Sequence, residues 1–250
     1  MKIALIGYGK MGQEVGNLIS EGPHKIVSIS YGHKGEALDI EGISKADVVI
    51  DFTSADIILS TIEAVMKLKK PMVVGTTGWY DKLGQVQKIV KKHKGSLIYG
   101  QNFSIGANIF FSIISYASSL IGRYEDYDVF GIETHHTGKK DSPSGTARKI
   151  AEIIIKNNPR KTVLQIDRLD KQIREEELHF ASVRGGRNFG MHEIVFDSPA
   201  DEIRMSHQAW GRRGFALGAI GAAEFIRNKK GFYNFSEIFE KQASGEVKNK

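Results

Sequence analysis

The first twenty residues constrain the fold of this chain more than any other stretch. Residues 2–6, K-I-A-L-I, form an apolar run with the length of a buried strand, and the turn G-Y-G-K-M-G follows at once and leads into the helix-compatible segment 11–20. Glycines at this spacing allow a tight turn, a close approach of backbone to a pyrophosphate, and close packing of helix on strand. The pattern predicts dinucleotide binding, with an ordinary glycine-rich turn as the alternative.

Strands and helices alternate through the rest of the first hundred residues. The gap after the second strand is glycine-broken and predicts an abbreviated helix. This alternation specifies an α/β fold with a Rossmann-type, doubly wound parallel sheet, whose ligand crevice lies at the carboxyl ends of its strands. Strands are predicted at 24–30, 47–53, 72–76 and 96–99, and helices at 55–68 and 82–93.

The pattern changes after the segment 107–121, which is apolar on more than one face and is predicted to be a buried helix. The residues beyond this helix predict an α+β substrate and tetramerisation domain with a mixed, largely antiparallel sheet, one face of which is expected to take part in self-association. The Gly- and Ala-rich helix 213–227 is expected to return to the first domain. The predicted domains are therefore 1–104 with 213–250, and 105–212. The strands of the second domain are predicted at 128–133, 179–184, 191–196 and 202–208, and its helix at 144–156.

Composition excludes several classes of protein. The chain has 250 residues, 41% of them hydrophobic, and no cysteine, which rules out disulfides, thiolate zinc sites and cysteine nucleophiles. The net charge of +6 is spread widely, and the cluster 91–94 has no interleaved aromatic residues, so nucleic-acid binding is not expected. No apolar stretch approaches the roughly 20 residues of a membrane span or forms a signal-peptide core. We expect a cytoplasmic protein without a membrane partner.

The loop after the second strand bears on coenzyme choice. A NAD-preferring domain usually carries an acidic residue about 20 residues beyond the glycines, to bind the adenosine ribose. This chain instead reads S-I-S-Y-G-H-K-G, so that Ser30, His33 and Lys34 could receive a ribose phosphate. The sequence favours NADPH over NADH, with a solvated loop and dual specificity as the alternative.

Residues 133–152, E-T-H-H-T-G-K-K-D-S-P-S-G-T-A-R-K-I-A-E, resemble an anion site. Ser144 is a plausible helix N-cap, and the amides of Gly145 and Thr146 in the first turn would point at a carboxylate or phosphate. Donors upstream surround the same position: His135, His136, Lys139 and Lys140. The stretch predicts a clamp for a small dianion.

Two alternatives apply to the histidines of this stretch. Adjacent strand residues point to opposite faces, so His135 and His136 enter one pocket only if the strand has already ended. A metal site is the other alternative, but no carboxylate lies at strong ligand spacing and the lysines would repel a cation. We predict no metal.

Five motifs in register resemble the signature of the dihydrodipicolinate reductase family over nearly the whole chain, in addition to the N-terminal glycine turn. They are H-H-x-x-K-x-D-S-P-S-G-T-A from His135, G-T-T-G from Gly75, N-F-S-x-G-x-N from Asn102, R-G-G followed by G-x-H-E-I-V-F from Arg184, and H-x-A-x-x-R-x-x-F-A-x-G-A from His207. The resemblance implies a homotetramer that transfers hydride from NAD(P)H to a cyclic, unsaturated imine dicarboxylate in the diaminopimelate route to lysine.

The resemblance also implies residue roles. His135 matches the family's general acid and Lys139 its partner, while the carboxylate contacts match His136, Ser144, Gly145 and Thr146. Arg212 matches a family position near the cofactor or the domain hinge. The other cofactor contacts would be Gly7, Tyr8, Gly9, Lys10, Met11, Gly12, Gly75, Thr76, Thr77, Gly100, Gln101, Asn102 and Phe103, together with His33 and Lys34.

The chain departs from the commoner family pattern in three places: the glycine turn is one residue shorter, Lys10 replaces arginine, and the acidic residue after the second strand is missing. These departures bear on coenzyme preference. The alternatives to this family are another two-domain nicotinamide oxidoreductase that acts on a different small dicarboxylate, and a non-catalytic nicotinamide-responsive binding protein.

Overall fold

The chain divides into two compact units in the computed structural model, which describes residues 1–33, 35–166 and 168–238. Of the described residues, the first unit comprises those up to Ile105 together with those from Arg212 onward, and the second unit comprises those from Gly106 to Gly211. The chain therefore leaves the first unit once and returns to it through a C-terminal segment.

The first unit contains a six-stranded sheet in which every neighbouring pair is parallel. Its strands are β1 (Lys2–Ile6), β2 (Lys25–Ser30), β3 (Val48–Asp51), β4 (Met72–Val74), β5 (Ser96–Tyr99) and β11 (Gly231–Asn234). Their order is β11-β5-β4-β3-β1-β2, so the direction of winding reverses between β1 and β3. Ligands of open α/β sheets bind at such a switch point, outside the carboxyl ends of the strands.

Helices cover both faces of this sheet. Alternate residues of β1 enter two separate cores, with Ile3 and Leu5 in one and Ala4 and Ile6 in the other. The first core is closed by α1 (Lys10–Glu21) and α7 (Arg213–Ile226). The second is closed by α2 (Ile40–Ser44), α3 (Ile58–Lys67) and α4 (Leu83–Lys92). The predicted doubly wound sheet is confirmed, and so is the abbreviated helix, because α2 has only five residues.

The second unit has a mixed five-stranded sheet of order β10-β9-β6-β8-β7. Its elements are α5 (Ile105–Ile121), β6 (Asp128–His135), α6 (Gly145–Asn157), β7 (Val163–Gln165), β8 (Glu177–Arg184), β9 (Met191–Asp197) and β10 (Glu202–Gln208). Two pairings, β6 with β9 and β9 with β10, are antiparallel, and the pairings of β8 with β6 and β7 are parallel. The predicted mixed sheet and the hairpin of its last two strands are confirmed, but the sheet is not largely antiparallel, because β7 and β8 add two parallel pairings to the two antiparallel ones.

The prediction that α5 is a buried helix is wrong for one of its sides. One side of the helix packs in the core of the second unit through Phe110, Phe111 and Ile114. The opposite side is a stripe of apolar residues with 41–71% of each side chain exposed: Ile105, Ile109, Ile113, Tyr116 and Leu120. A helix without a single charged residue covers one face of a sheet here and leaves its other face open. No helix in the described part of the chain is long and apolar enough to cross a membrane.

Candidate active site

The glycine turn after β1 lies at the switch point of the first sheet. Gly7 has φ +87°, and a Cβ there would lie 2.4 Å from the carbonyl oxygen of Phe52, next to β3. A Cβ on Gly12, in the first turn of α1, would lie 2.1 Å from the oxygen of Gly7. Both glycines are required by the packing of this turn. A Cβ on Gly9 would meet nothing within 4 Å, so the fold leaves open space where a pyrophosphate would approach the backbone.

The start of α1 fits an anion. Gly9 is its N-cap and forms no side-chain capping bond, which leaves the first-turn amides of Lys10 and Met11 for an external acceptor. Tyr8 packs edge-to-face on Tyr31 at 6.1 Å between ring centroids. This turn could hold the pyrophosphate of a dinucleotide.

Other predicted cofactor residues lie at the carboxyl ends of β4 and β5. Gly75 approaches the Phe52 ring so closely that a Cβ would lie 2.1 Å from it, and Thr76 is buried with its hydroxyl 2.6 Å from Oδ1 of Asp51. Thr77 and Gln101 are exposed, and Gly100 is buried. The Asn102 side chain accepts a bond from the Ser104 amide at 2.8 Å.

Two of the predicted cofactor residues, Phe103 and Arg212, have positions in the fold of the first unit itself. The Phe103 ring is 3% exposed and packs on Phe235 in the core, so only its backbone is available to a cofactor. Arg212 is the N-cap residue of α7.

The loop after β2 borders a cleft of about 320 Å³ that reaches the first turns of α3. The cleft is lined by His33 and Glu36 from the loop and by Ser60 and Thr61 from α3. The Glu36 carboxylate accepts a hydrogen bond from the His33 amide at 3.2 Å. Lys34, the predicted ligand of a ribose phosphate, lies outside the described residues. An acidic side chain thus stands in the same loop, six residues beyond the end of β2.

The anion site predicted from residues 133–152 takes shape at the start of α6. Ser144 is the N-cap, and its hydroxyl accepts the Ala147 amide at 3.1 Å. A Cβ on Gly145 would meet nothing within 4 Å, so the first turn is open at that point. The Lys139 ammonium pairs with Asp141 at 2.7 Å in the preceding loop.

His135 is the last residue of β6, and His136 follows the end of the strand. The His136 amide donates to the Asn188 oxygen at 2.7 Å. Because the strand has ended, the alternation argument does not separate the two histidines. The His135 side chain is buried, and burial is the main reason why its pKa falls from 6.5 to about 4, with Glu133 acting in the opposite direction. Its ring is therefore neutral at pH 7 without a ligand.

A buried carboxylate that the sequence analysis did not single out lies at the centre of this site. Glu133 Oε1 accepts bonds from the Ser144 amide at 2.9 Å, the Ser182 hydroxyl at 2.8 Å and the Arg184 guanidinium at 2.7 Å. Burial alone would raise the pKa of this carboxyl, but its contacts with His192, Ser144, Arg184 and Ser182 together hold the pKa well below the ordinary value. Glu133 is consequently ionised throughout the neutral range.

Strand register explains why these residues meet. Glu133 lies opposite His192 of β9 and opposite Ser182 of β8, and His135 lies opposite Arg184. Glu133 and His135 are two positions apart on one strand, so they share a face. His192 and Arg184 were present in the motifs of the sequence but carried no assigned role, since only the pairing of strands about 50 residues apart brings them together.

Glu133, His135 and His192 also form a group whose potential metal-ligand atoms lie within 4.8 Å of one another. However, Glu133 Oε1 already accepts three donors, one of them the Arg184 cation. Another cation, Lys139, lies close enough to lower the pKa of His135. This donor set favours the carboxylate as an acceptor of N–H and O–H groups over a role as metal ligand.

Dinucleotide-binding folds that carry a second α+β unit with an ionisable side chain at a strand end are typical of nicotinamide-dependent oxidoreductases. This chain is one of them, and comparison with known sequences identifies its family. A family model described as "Dihydrodipicolinate reductase, N-terminus" matches residues 1–103, and one described as "Dihydrodipicolinate reductase, C-terminus" matches residues 106–239. The chain belongs to the dihydrodipicolinate reductase family.

Relatives agree with this assignment. A 4-hydroxy-tetrahydrodipicolinate reductase from Christiangramia forsetii is 36% identical over 238 residues, which is 95% of this chain and 97% of the relative. A protein of the same name from Methanocaldococcus jannaschii is 33% identical over 233 residues, 92% of this chain and 83% of the relative.

Solved structures show the same fold. The dipicolinate-bound dihydrodipicolinate reductase from Paenisporosarcina sp. TG-14 superposes with a TM-score of 0.77 at 23% identity, covering 95% of this chain and 99% of its own. An amine dehydrogenase from Mycobacterium smegmatis superposes with a TM-score of 0.60 at 9% identity, covering 94% and 95%.

Proposed function

We propose that this chain catalyses the NAD(P)H-dependent reduction of 4-hydroxy-tetrahydrodipicolinate to tetrahydrodipicolinate in the diaminopimelate route to lysine. Family membership and the names of the relatives support the reaction. The structural observation that carries it is the placement of the buried His135 at the end of β6, in the cluster of side chains that also holds Ser144 at the start of α6.

The start of α6 suits one carboxylate of such a substrate. Gly145 and Thr146 bring first-turn amides and the positive end of the helix dipole to one point, and the open space at Gly145 leaves room for the anion. His136 and Lys139 add donors from the loop that follows β6. These residues would hold and orient the dicarboxylate.

The reaction needs a proton as well as a hydride. A reduced nicotinamide coenzyme, whose pyrophosphate the glycine turn would hold, would supply the hydride. The 4-hydroxyl leaves as water together with a proton from a neighbouring ring carbon, and the hydride and the one proton taken up then add to the double bond that this elimination forms, which balances the reaction. His135 gives the proton to the ring atom that gains electron density, and Lys139 stabilises negative charge as it develops. A bound dicarboxylate adds negative charge beside His135, which raises the pKa of the ring from about 4 towards the working pH.

An enzymatic assay tests the proposal directly. The purified protein is supplied with the condensation product of pyruvate and aspartate semialdehyde, and oxidation of NADPH or NADH is followed by absorbance. We expect turnover that depends on both substrates. If neither coenzyme is consumed, this chain does not have the proposed function.

The proton donor has its own test. His135→Gln should lower kcat by about 10²- to 10⁴-fold, the usual contribution of a general acid, and leave the Kd for the coenzyme unchanged. His93→Gln, at the end of α4 in the first unit, is the matched control and should keep parental turnover. A fall in coenzyme affinity that accounts for the lost activity would contradict the role of His135.

We further propose that NADPH is the preferred coenzyme. The loop after β2 carries His33 and Lys34, which suit a ribose phosphate, but also Glu36, whose carboxylate would repel one. Lys34→Ala should weaken NADPH binding and spare NADH, whereas Glu36→Gln should strengthen NADPH binding. Fluorescence titration of both coenzymes decides the matter, and equal losses for NADH and NADPH in Lys34→Ala would remove the argument for NADPH.

A homotetramer and a cytoplasmic location belong to the same proposal. One face of the sheet in the second unit is covered by α5 and α6, through residues such as Phe111 and Ile150. The other face carries Val183 at 49% exposure, and Phe130 and Ile132 are half-buried on it. This partly exposed apolar face supports self-association through the sheet.

A further inference from the structure

Glu133 is a carboxylate without exposed surface that contacts two parts of the candidate active site at once. Its Oε1 atom accepts the amide of Ser144 at 2.9 Å, and so fixes the residue that begins α6. Its Oε2 atom lies 3.4 Å from Nδ1 of His135 and 3.5 Å from Nε2 of His192. One side chain therefore links the proposed carboxylate site to the proposed proton donor.

Unsatisfied atoms in this cluster indicate where protons lie. Glu133 Oε2 and Nδ1 of His135 are both buried and form no well-directed hydrogen bond, although they lie 3.4 Å apart and Nε2 of His192 lies 3.5 Å from the same oxygen. Leaving a buried carboxylate oxygen without a donor costs free energy. A proton on Nδ1 of His135, directed at Oε2, satisfies both atoms after a small rotation of the ring.

The other ring nitrogen of His135, Nε2, lies beside a glycine. Gly190, with φ +151°, lies beside Nε2, and a Cβ there would be 2.8 Å from that atom. A side chain at position 190 would therefore press on the ring. The glycine keeps Nε2 clear for proton transfer, while Nδ1 faces the carboxylate.

We propose that Glu133 is a positioning residue of this reductase, whose carboxylate holds His135 with a proton on Nδ1 and Nε2 directed to the substrate, and which anchors the amide of Ser144 at the start of α6. The inference rests on the proposed function, because it takes His135 as the proton donor. Glu133 does not itself touch the substrate.

The charges around His135 give the carboxylate a second effect. Four ionisable groups influence the ring: Glu133 on its own strand, Arg184 on β8, His192 on β9 and Lys139 in the following loop. Burial lowers the pKa of His135 most, Glu133 raises it, and the other three lower it. Among these four groups, Glu133 is the one that favours the protonated ring needed for proton donation.

Glu133→Gln reverses the local hydrogen bonding with little change in shape. The amide oxygen of Gln stays with the Ser144 amide and the Ser182 hydroxyl, which are donors, and this places its NH₂ group where Oε2 was. That group is a donor facing Nδ1 of His135, so the neutral ring must carry its proton on Nε2. The substitution therefore predicts a change of tautomer.

Nitrogen-15 NMR of the histidine rings at neutral pH measures this without ligand or activity. The His135 signals are identified by their loss in His135→Gln. We expect the Nδ1–H tautomer in the parent protein and the Nε2–H tautomer in Glu133→Gln. Glu193→Gln is the matched control on β9, where the carboxylate pairs with Arg204, and it should leave His135 unchanged. An Nε2–H tautomer in the parent protein overturns the proposal even if Glu133→Gln does not fold.

Kinetics provide a readout that a merely structural role would not move. Activity that needs protonated His135 falls as pH rises through the pKa of the ring in the complex. Because Glu133 raises that pKa, Glu133→Gln should move the descending limb of kcat to lower pH and reduce kcat at neutral pH by at least about 10-fold. A lower melting temperature with an unshifted limb would indicate a structural role only. If the parent enzyme itself does not turn over, the proposed function is wrong. The tautomer measurement still tests whether Glu133 holds the proton on Nδ1 of His135, because it needs no activity.

Discussion

Asp51 is a carboxyl group without solvent exposure at the carboxyl end of β3. Burial raises its pKa to about 6, although hydrogen bonds from Thr76 and Thr53 act in the opposite direction. The unfolded-state pKa of an aspartate is about 3.9, so the folded protein binds this proton more tightly than the unfolded chain. The resulting contribution to stability is complete below about pH 4 and is lost as pH rises to about 6.

Asp51→Asn should remove this pH dependence. Between pH 4 and pH 7 the parent should lose about 2 kcal/mol of its free energy of unfolding relative to the variant, at about 1.4 kcal/mol per pKa unit. Urea denaturation at a series of pH values measures the difference. Asp126→Asn, in an exposed turn, should show none. A difference for Asp51→Asn that is constant over this range would contradict the assignment.

Lys139 lies at the candidate active site of the second unit. Its side chain is 23% exposed, and its ammonium group pairs with Asp141. Lys139→Ala should raise the free energy of activation that kcat/KM reports by about 3 to 5 kcal/mol, as the loss of one electrostatic stabiliser commonly does. The value of kcat/KM should fall accordingly. Lys88→Ala replaces an exposed lysine of α4, in the first unit, and controls for a change in net charge. Steady-state kinetics with the dicarboxylate substrate measure both, and equal effects of the two substitutions would exclude a specific role for Lys139.

Two glycines of the turn at the start of α1 are expected to be needed for different reasons, Gly12 for packing and Gly9 for coenzyme binding. The Cβ of Gly12→Ala would lie 2.1 Å from a backbone oxygen, so we expect a loss of stability of about 1–3 kcal/mol. Gly9→Ala meets nothing within 4 Å and should cost less than about 1 kcal/mol, yet its methyl group would occupy the approach to the first-turn amides. We expect it to weaken coenzyme binding at least about 10-fold.

Thermal denaturation and coenzyme titration on both glycine variants check this prediction. Gly84→Ala, within α4, also meets open space and serves as a control away from the turn. Unchanged coenzyme affinity in Gly9→Ala would show that the phosphates do not approach the backbone there.

The elements that sequence predicted well are those with a strong local pattern. The strand before Gly7, the strand at 96–99 and the last hairpin strand were predicted to the residue. The short strands β7 and β11 were missed, because three or four residues give too little periodicity. The exposed stripe of α5 was missed for another reason: an apolar residue does not tell from its own sequence whether anything covers it.

The candidate site shows the same division between local and distant information. Ser144 could be recognised as a cap from its neighbours, since capping is a matter of adjacent residues. Glu133 could not be assigned its partners, because Ser182, Arg184 and His192 reach it through strand register across some 50 residues. Local sequence specifies which residue types are present, and pairing of distant strands decides which of them meet.

For the whole molecule we predict self-association through the open face of the sheet in the second unit. Light scattering after size-exclusion chromatography should give about four times the 27.8 kDa of one chain. Val183→Glu places a charge on that face and should shift the protein to a smaller species, whereas Tyr124→Glu, in an exposed turn, should not. A parent protein that elutes as a monomer would contradict the prediction.

The return of α7 and β11 to the first sheet has a consequence for biosynthesis. The ribosome delivers β1 to β5 first, but the core that α7 closes through Ala216, Ala219 and Ala223 stays open until residues beyond 212 emerge. The intervening unit, in contrast, is continuous in sequence and can fold while the first half waits. The nascent chain is therefore expected to expose the apolar face of an unfinished nucleotide-binding sheet until α7 has emerged, and to complete that sheet last.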